Sequence, residues 1–356
     1  MTRDAHVYLV PVPDLTVTQV WDVGDVRFLP AEHIRGLVRD HRSGRTNSLP
    51  GWFDQHVDDR VAEVVEPLSV VQVASADART AYTHVADAVA ILRLLQHARA
   101  PRVDTDLQTF GLPGQVAQWN VELIDLSAGP GLSYFRGGAA PGWTFSADDY
   151  AAFQRDPGLQ FLGTALAESD RTALQRRALL GTRLLSTSTL EQDPDQKLLA
   201  AVMAVEVLLG DDGKGPKKYR LARRHADLAC SVPQASMCGR DRPSCPYLSL
   251  DPDVREQRQE LQTLHDRARN DVRVLCSEHL RLVDLYNDRS SAVHDGTVGL
   301  DLKEVRNSLY PVYRWLIPEV LAWYAAHPDD GELTELDDEI RRTVAARPPE
   351  PVPPET

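Results

Sequence analysis

"DPDQKLLAAVMAVEVLLG", Asp193 to Gly210, is the stretch on which the fold turns. Its Asp-Pro opening sets a side-chain acceptor before a proline suited to the first helical turn, and Gly210 offers a left-handed stop after the last turn. Between Leu198 and Leu209 every residue except Glu206 is apolar, a pattern that predicts a helix buried on all sides at the centre of a bundle. A carboxylate in such a helix is costly unless a cation or hydrogen-bond donors meet it. Glu206 therefore either reaches water near the helix end or orients an arginine from a neighbouring helix, with Arg289 as first candidate.

Helical periodicity continues on both sides of this segment. "ESDRTALQRRALLGTRLLSTSTL" opens with a Ser-Asp start signal, and "GPKKYRLARRHADLAC" places Pro216 in a first turn. "PDVREQRQELQTLHDRARNDVRVLCSEHLRLVDLYNDRSSAVH" reads as one very long helix or two joined end to end. "LKEVRNSLYPVYRWLIPEVLAWYAAH" closes the set, kinked or broken at Pro311 and Pro318. Five such segments predict an all-α bundle over residues 159–330, followed over 331–356 by a short helix and the Pro- and Glu-rich tail "ARPPEPVPPET", which is expected to be disordered.

Residues 1–155 have another texture. "HVYLVPVP" and "LSVVQVAS" are rich in β-branched residues, "QVAQWNVELIDL" alternates, and "ADARTAYTHVADAVAILRLLQHAR" is helical. The expected fold class is thus α+β, a mixed α/β domain of unknown role followed by a helical bundle. None of the Gly-rich stretches carries the Gly-Lys-Ser/Thr of a phosphate loop.

The 356 residues are 42% hydrophobic and 26% charged, as in an ordinary soluble protein. There is no run of 18 apolar residues and no charged-then-apolar leader, so neither membrane nor secretion is expected. Four cysteines without a leader favour reduced thiols in a cytoplasm. A net charge of −13 argues against a protein that coats nucleic acid. The charge is unevenly spread, however: "KGPKKYRLARRH" (Lys214 to His225) holds six Lys and Arg residues and no acid. Lys217, Lys218, Arg220, Arg223 and Arg224 are candidates for holding a short RNA segment, the alternative being a solvated helix face.

"YNDRSSAVHDG", Tyr286 to Gly296, brings the candidate chemistry. On an ideal helix Arg289 and His294 point about 140° apart, so they converge only if the helix ends at His294 or a second chain completes the site. Asp295-Gly296 supplies such an ending. A histidine titrating near neutrality can move the proton of a ribose 2′-OH or of a leaving 5′ oxygen, and an arginine can hold the phosphate as negative charge builds. Ser290 could add a hydrogen bond to that phosphate. The structural alternative is Arg289 paired with Asp288 or Glu206, with His294 a favourable cation at a helix C-terminus.

"LLAAVMAVEVLLG", "LYNDRSSAVHDG" and the helix that follows together resemble the HEPN superfamily, and within it the ApeA-like proteins of bacteria. The resemblance covers about residues 160 to 330. It implies a bundle that dimerises with two Arg-x4-His motifs facing each other, and a metal-independent endoribonuclease of toxin or antiviral-defence type. Many such enzymes cut tRNA or mRNA and halt growth; for this chain a phage-derived trigger and a 2′,3′-cyclic phosphate product are the corresponding expectations. Carried over, Arg289 and His294 form the catalytic pair and Glu206 is a supporting acid. Many active members have Asn, Asp or His after the arginine, where this chain has Ser290. A catalytically inactive module for dimerisation and for RNA or partner binding is therefore the alternative.

Cys230, Cys238 and Cys245 fall within "CSVPQASMCGRDRPSCPYL" at C-x7-C-x6-C spacing. With His225, Cys276 or His279 as a fourth ligand they could hold a structural zinc, although the C-x2-C knuckle is missing and free buried thiols are the alternative. No cofactor is expected for catalysis.

Overall fold

The structure, a computed structural model, describes residues 6–30, 33, 68–99, 110–112, 124–125, 142–210, 217–231, 250, 254–270, 277–294, 299–329, 335–336 and 338. Its first part is an antiparallel sheet and its second is helical, an α+β arrangement.

The sheet has the order β3-β4-β5-β1-β6, from β1 (His6–Pro13), β3 (Trp21–Val23), β4 (Val26–Leu29), β5 (Leu68–Ser75) and β6 (Ile124–Asp125). Its centre is the long β1/β5 pair, in register from His6 opposite Ser75 to Pro13 opposite Leu68. Ser69, Val71, Val73 and Ser75 turn inward while Ala74 faces solvent, the period of two expected of a strand with one covered face. Gly24 takes φ +63° in the tight turn between β3 and β4, as primed hairpin turns require. A Cβ there would also lie 2.6 Å from the carbonyl oxygen of Gly163, so the hairpin tip docks closely on a helix. β2 (Leu15–Val17) pairs separately, in parallel, with β7 (Trp143–Phe145).

Helix α1 (Ala78–Arg99) covers the sheet and is buried along most of its second half, from Asp87 to Gln96. α2 (Ala147–Arg155) and α3 (Pro157–Ala167) meet at Asp156, which ends the first and caps the second by accepting from the Leu159 amide at 3.0 Å. This junction coincides with the expected boundary near residues 155–159. One apolar core nevertheless runs without a break from Val71 and Phe28 through Val85 and Leu92 to Leu162, Leu198 and Val320.

α4 (Ala173–Leu190) and α5 (Pro194–Leu208) form the central helical hairpin. Thr172 begins α4 with a capping box to Gln175, in place of the Ser-Asp signal upstream. Asp193 caps α5, with Pro194 in its first turn as anticipated. The two helices approach so closely that a Cβ on Gly181 would sit 2.5 Å from Leu208 Cγ.

Two features of α5 differ from expectation. The helix is not buried all round, because Met203 is 44% exposed and Leu199, Glu206 and Val207 are half-buried on the same side. Gly210 is not left-handed either; its lack of a Cβ matters because one would lie 2.8 Å from the Glu206 carbonyl oxygen. The last carbonyls of α5 are satisfied from other helices instead. Arg224 donates to the Leu209 and Gly210 oxygens at 2.6 and 2.5 Å, and the Tyr324 hydroxyl donates to that of Leu208.

The remaining helices are α6 (Lys217–Ser231), α7 (Arg255–Asn270), α8 (Ser277–His294), α9 (Leu302–Pro311) and α10 (Ile317–Ala326). Of the long apolar-periodic stretch, α7 and α8 are described, and residues 271–276 between them lie outside the described residues. The break expected at the two prolines is a π turn, Val312–Leu316, that joins α9 to α10, with Pro318 in the first turn of α10. Of the tail only Glu335, Leu336 and Asp338 are described, so the expected disorder of "ARPPEPVPPET" concerns residues outside the description, as does Pro216. No helix among the described residues is long and apolar enough to cross a membrane.

Candidate active site

The last two turns of α8 carry the expected pair. α8 packs on α5, α6, α7 and α9, so it lies against most of the helical part. His265 of α7, buried to 2% exposure, sits with Nε2 3.4 Å from the Asp284 carboxylate of α8.

Arg289 is half-buried, its guanidinium carbon 5.8 Å from the centre of the Tyr286 ring. Its Nε is buried and has no hydrogen-bond partner among the described residues. His294 is exposed and is the last helical residue of α8; Asp295 and Gly296 lie outside the described residues. Both members of the motif belong to one helix, so the ideal separation of about 140° and about 7.5 Å along the axis applies. Arg289 shares its stripe with Tyr286 and with Val293, an apolar side chain 51% exposed. His294 shares the opposite stripe with Asn287, two turns back. Ser290 is half-buried between the two.

A polar chain of three helices meets the His294 side. Lys218 donates to Asn287 Oδ1 at 3.1 Å, which pins the start of α6 on α8. Beside it Lys217 reaches Glu206 Oε2 at 3.3 Å. Glu206 is thus half-buried near the end of α5 and meets Lys217 rather than Arg289, and its buried Oε1 has no hydrogen-bond partner among the described residues. The carboxylate fixes a lysine at the head of the basic helix, which in turn sits beside the motif.

The expected basic surface divides by environment. Lys217, Lys218, Arg220 and Arg223 are half-buried. Arg224 is 5% exposed and holds the end of α5, so a phosphate outside the bundle does not reach it. Cys238 and Cys245 lie outside the described residues, and of Cys230 only the backbone, in α6, is described. Among the described residues no group of three or more His, Cys, Asp and Glu side chains converges as metal ligands would.

Asn287, Tyr286 and Val293 are residues that the sequence reading passed over. The signal for them was present in the helical period, since each lies three, four or seven residues from a member of the motif. Comparisons with protein-family models, with curated proteins and with solved structures return no match to this chain.

Proposed function

We propose that the chain is a metal-independent endoribonuclease of HEPN type, acting as a homodimer whose two α8 ends face each other. The observation that carries this reading is Arg289. A structural arginine in the last turns of a packed helix is ordinarily held by a carboxylate or by carbonyls, yet the buried Nε of this one has no hydrogen-bond partner among the described residues. The same helix ends on an exposed histidine, and two lysines stand at the neighbouring helix start.

In this reading the guanidinium of Arg289 binds the scissile phosphate, and His294 moves the proton of the 2′-OH or of the leaving 5′ oxygen. Attack of the 2′ oxygen on phosphorus expels the 5′ oxygen and leaves a 2′,3′-cyclic phosphate. Lys217, Lys218, Arg220, Arg223 and Ser290 guide the backbone, and Glu206 positions Lys217. The exposed Val293, on the Arg289 stripe, suits the surface that a second copy covers. The substrate class is tRNA or mRNA in a cytoplasm, the setting is toxin or antiviral defence on a phage-derived trigger, and a zinc in the cysteine segment would be structural.

One observation favours the second reading, an inactive module for dimerisation and RNA or partner binding: within one chain Arg289 and His294 diverge by about 140°. RNA end-mapping separates the two readings. Induced wild type, with phage challenge, should yield new cyclic-phosphate ends that persist in chelator, and His294→Ala and Arg289→Ala should lose them by at least about a hundredfold. Equal cleavage by wild type and His294→Ala would overturn the catalytic reading.

A further inference from the structure

A second polar cluster lies far from α8 in sequence, where α1, the α4–α5 turn and the π turn meet. Arg93 of α1 is 1% exposed and Lys197 of α5 is 4% exposed. Neither makes an ion pair with any described residue. Arg93 donates from Nε at 2.7 Å, and again from Nη2, to the Phe110 carbonyl, and from Nη1 at 2.6 Å to Ser186 Oγ. Lys197 donates to the carbonyls of Ser188 and, at 3.3 Å, Thr189 in the last turn of α4. All these acceptors are neutral. Two cations are buried here in an acidic protein, and among the described residues no carboxylate forms an ion pair with either.

The surroundings extend the same pattern. Ser188 Oγ is 2.6 Å from the Tyr313 hydroxyl, and the Tyr313 ring packs on that of His97, centroids 4.9 Å apart. His97 as a residue is half-buried, and its ring packs into the cluster. Burial and the charges of Lys197 and Arg93 push its pKa down to about 3, so the imidazole is neutral and offers one donor and one acceptor. Arg306 of α9 adds to the positive potential at Lys197, and Glu191 offsets part of it. Tyr313 stands in the π turn, a distortion that recurs at functional sites in helices.

Helix capping accounts for part of this. Lys197 meets the α4 carbonyls as a C-terminal cation would, and Arg93 fastens the Phe110 segment. It does not account for the charge, since a neutral donor would serve both purposes without the penalty of burying an ion. Nor are the donors exhausted. Arg93 has five N–H groups and uses three on the described residues, and Lys197 has three and uses two on them.

We propose that this junction binds a small phosphorylated molecule, its dianionic phosphate supplying the counter-charge to Arg93 and Lys197, with His97 and Tyr313 lining the approach. A phosphate fits better than a single carboxylate because two fixed cations and three spare donors match a dianion with several acceptor oxygens. The site joins α1 and the Phe110 segment to the helical hairpin and the π turn, so an occupied site braces the sheet-bearing part against the helical part.

Titration of the purified full chain with inorganic phosphate, pyrophosphate and adenosine monophosphate, against chloride at matched ionic strength, tests the proposal. At least one of the three should raise Tm saturably where chloride does not. Hydrogen exchange on wild type should then show protection at residues 93–97, 186–197 and 312–316. Lys197→Met should weaken the response at least about tenfold. Ser186→Asp, which places a carboxylate beside Arg93, should blunt it by filling the same need internally. No response beyond chloride, protection confined to other segments, or an unchanged response in a folded Lys197→Met would each overturn the proposal. The exchange measurement needs no variant to fold, and none of these readouts depends on RNA cleavage.

Discussion

Lys197 is held by oxygens alone, and its titration follows from that. Burial first, then repulsion from Arg306, lowers its pKa from 10.5 to about 8, with Glu191 opposing. Between those values the unfolded chain binds a proton that the folded chain has released, so stability rises with pH across that window. One linked proton gives a slope no steeper than about 1.4 kcal/mol per pH unit. Burial pushes Arg93 the same way. Urea unfolding at about pH 8, 9 and 10 should show this rise in wild type and a smaller one in Lys197→Met, and a flat wild-type profile would refute it. His97 acts at the other end of the scale, because its depressed pKa makes the unfolded chain the better proton acceptor from about pH 6.5 down to about 3. Stability should therefore fall with acidification in that range, and His97→Phe, which keeps a ring on Tyr313, should flatten the fall.

At the scale of elements, the C-terminus of α5 depends on residues distant in sequence. Arg224 bonds the Leu209 and Gly210 carbonyl oxygens at its end from α6, so Arg224→Met takes the donor from one buried and one part-buried oxygen and should cost about 2 to 4 kcal/mol in urea unfolding. A loss under about 0.5 kcal/mol would show the end to be held otherwise. The same case marks what sequence reading could reach. β1, β5, α1, the Asp193 cap and the proline break after α9 each carry a local pattern, either alternation, helical period or a capping residue, and the local pattern suffices to place them. Three-residue strands such as β3 carry too few residues for a period, and α2 and α3 meet at one shared Asp156 without a loop to mark them. Arg224 reads as a surface cation within its own helix and becomes a cap only when α5 lies beside it. Arg289 and His294 were legible as a motif, whereas the meeting of Glu206 with Lys217 depends on how α6 returns past α5. Arg93 and Lys197, 104 positions apart in sequence, carry no shared signal until the fold joins them.

For the whole molecule, the issue is whether one chain suffices. Arg289 and His294 are on a single helix and, on ideal geometry, leave it about 140° apart, so one phosphate is poorly placed to meet both groups of the same chain. Two α8 ends related by a two-fold axis remove the difficulty, since each arginine can then face its partner's histidine across an isologous interface. The arrangement predicts complementation. Arg289→Ala and His294→Ala chains should each be inactive alone. When mixed, unfolded and refolded together, half of the dimers would be heterodimers with one intact Arg-His pair. Activity should return to about one quarter of wild type for equal amounts and random pairing. If both groups act within one chain, the mixture stays as inactive as its components, because neither chain then holds a complete pair. Cyclic-phosphate end counting on the refolded mixture distinguishes these outcomes, and a mixture that stays inactive while wild type, refolded identically, cuts RNA would place the reaction within single chains.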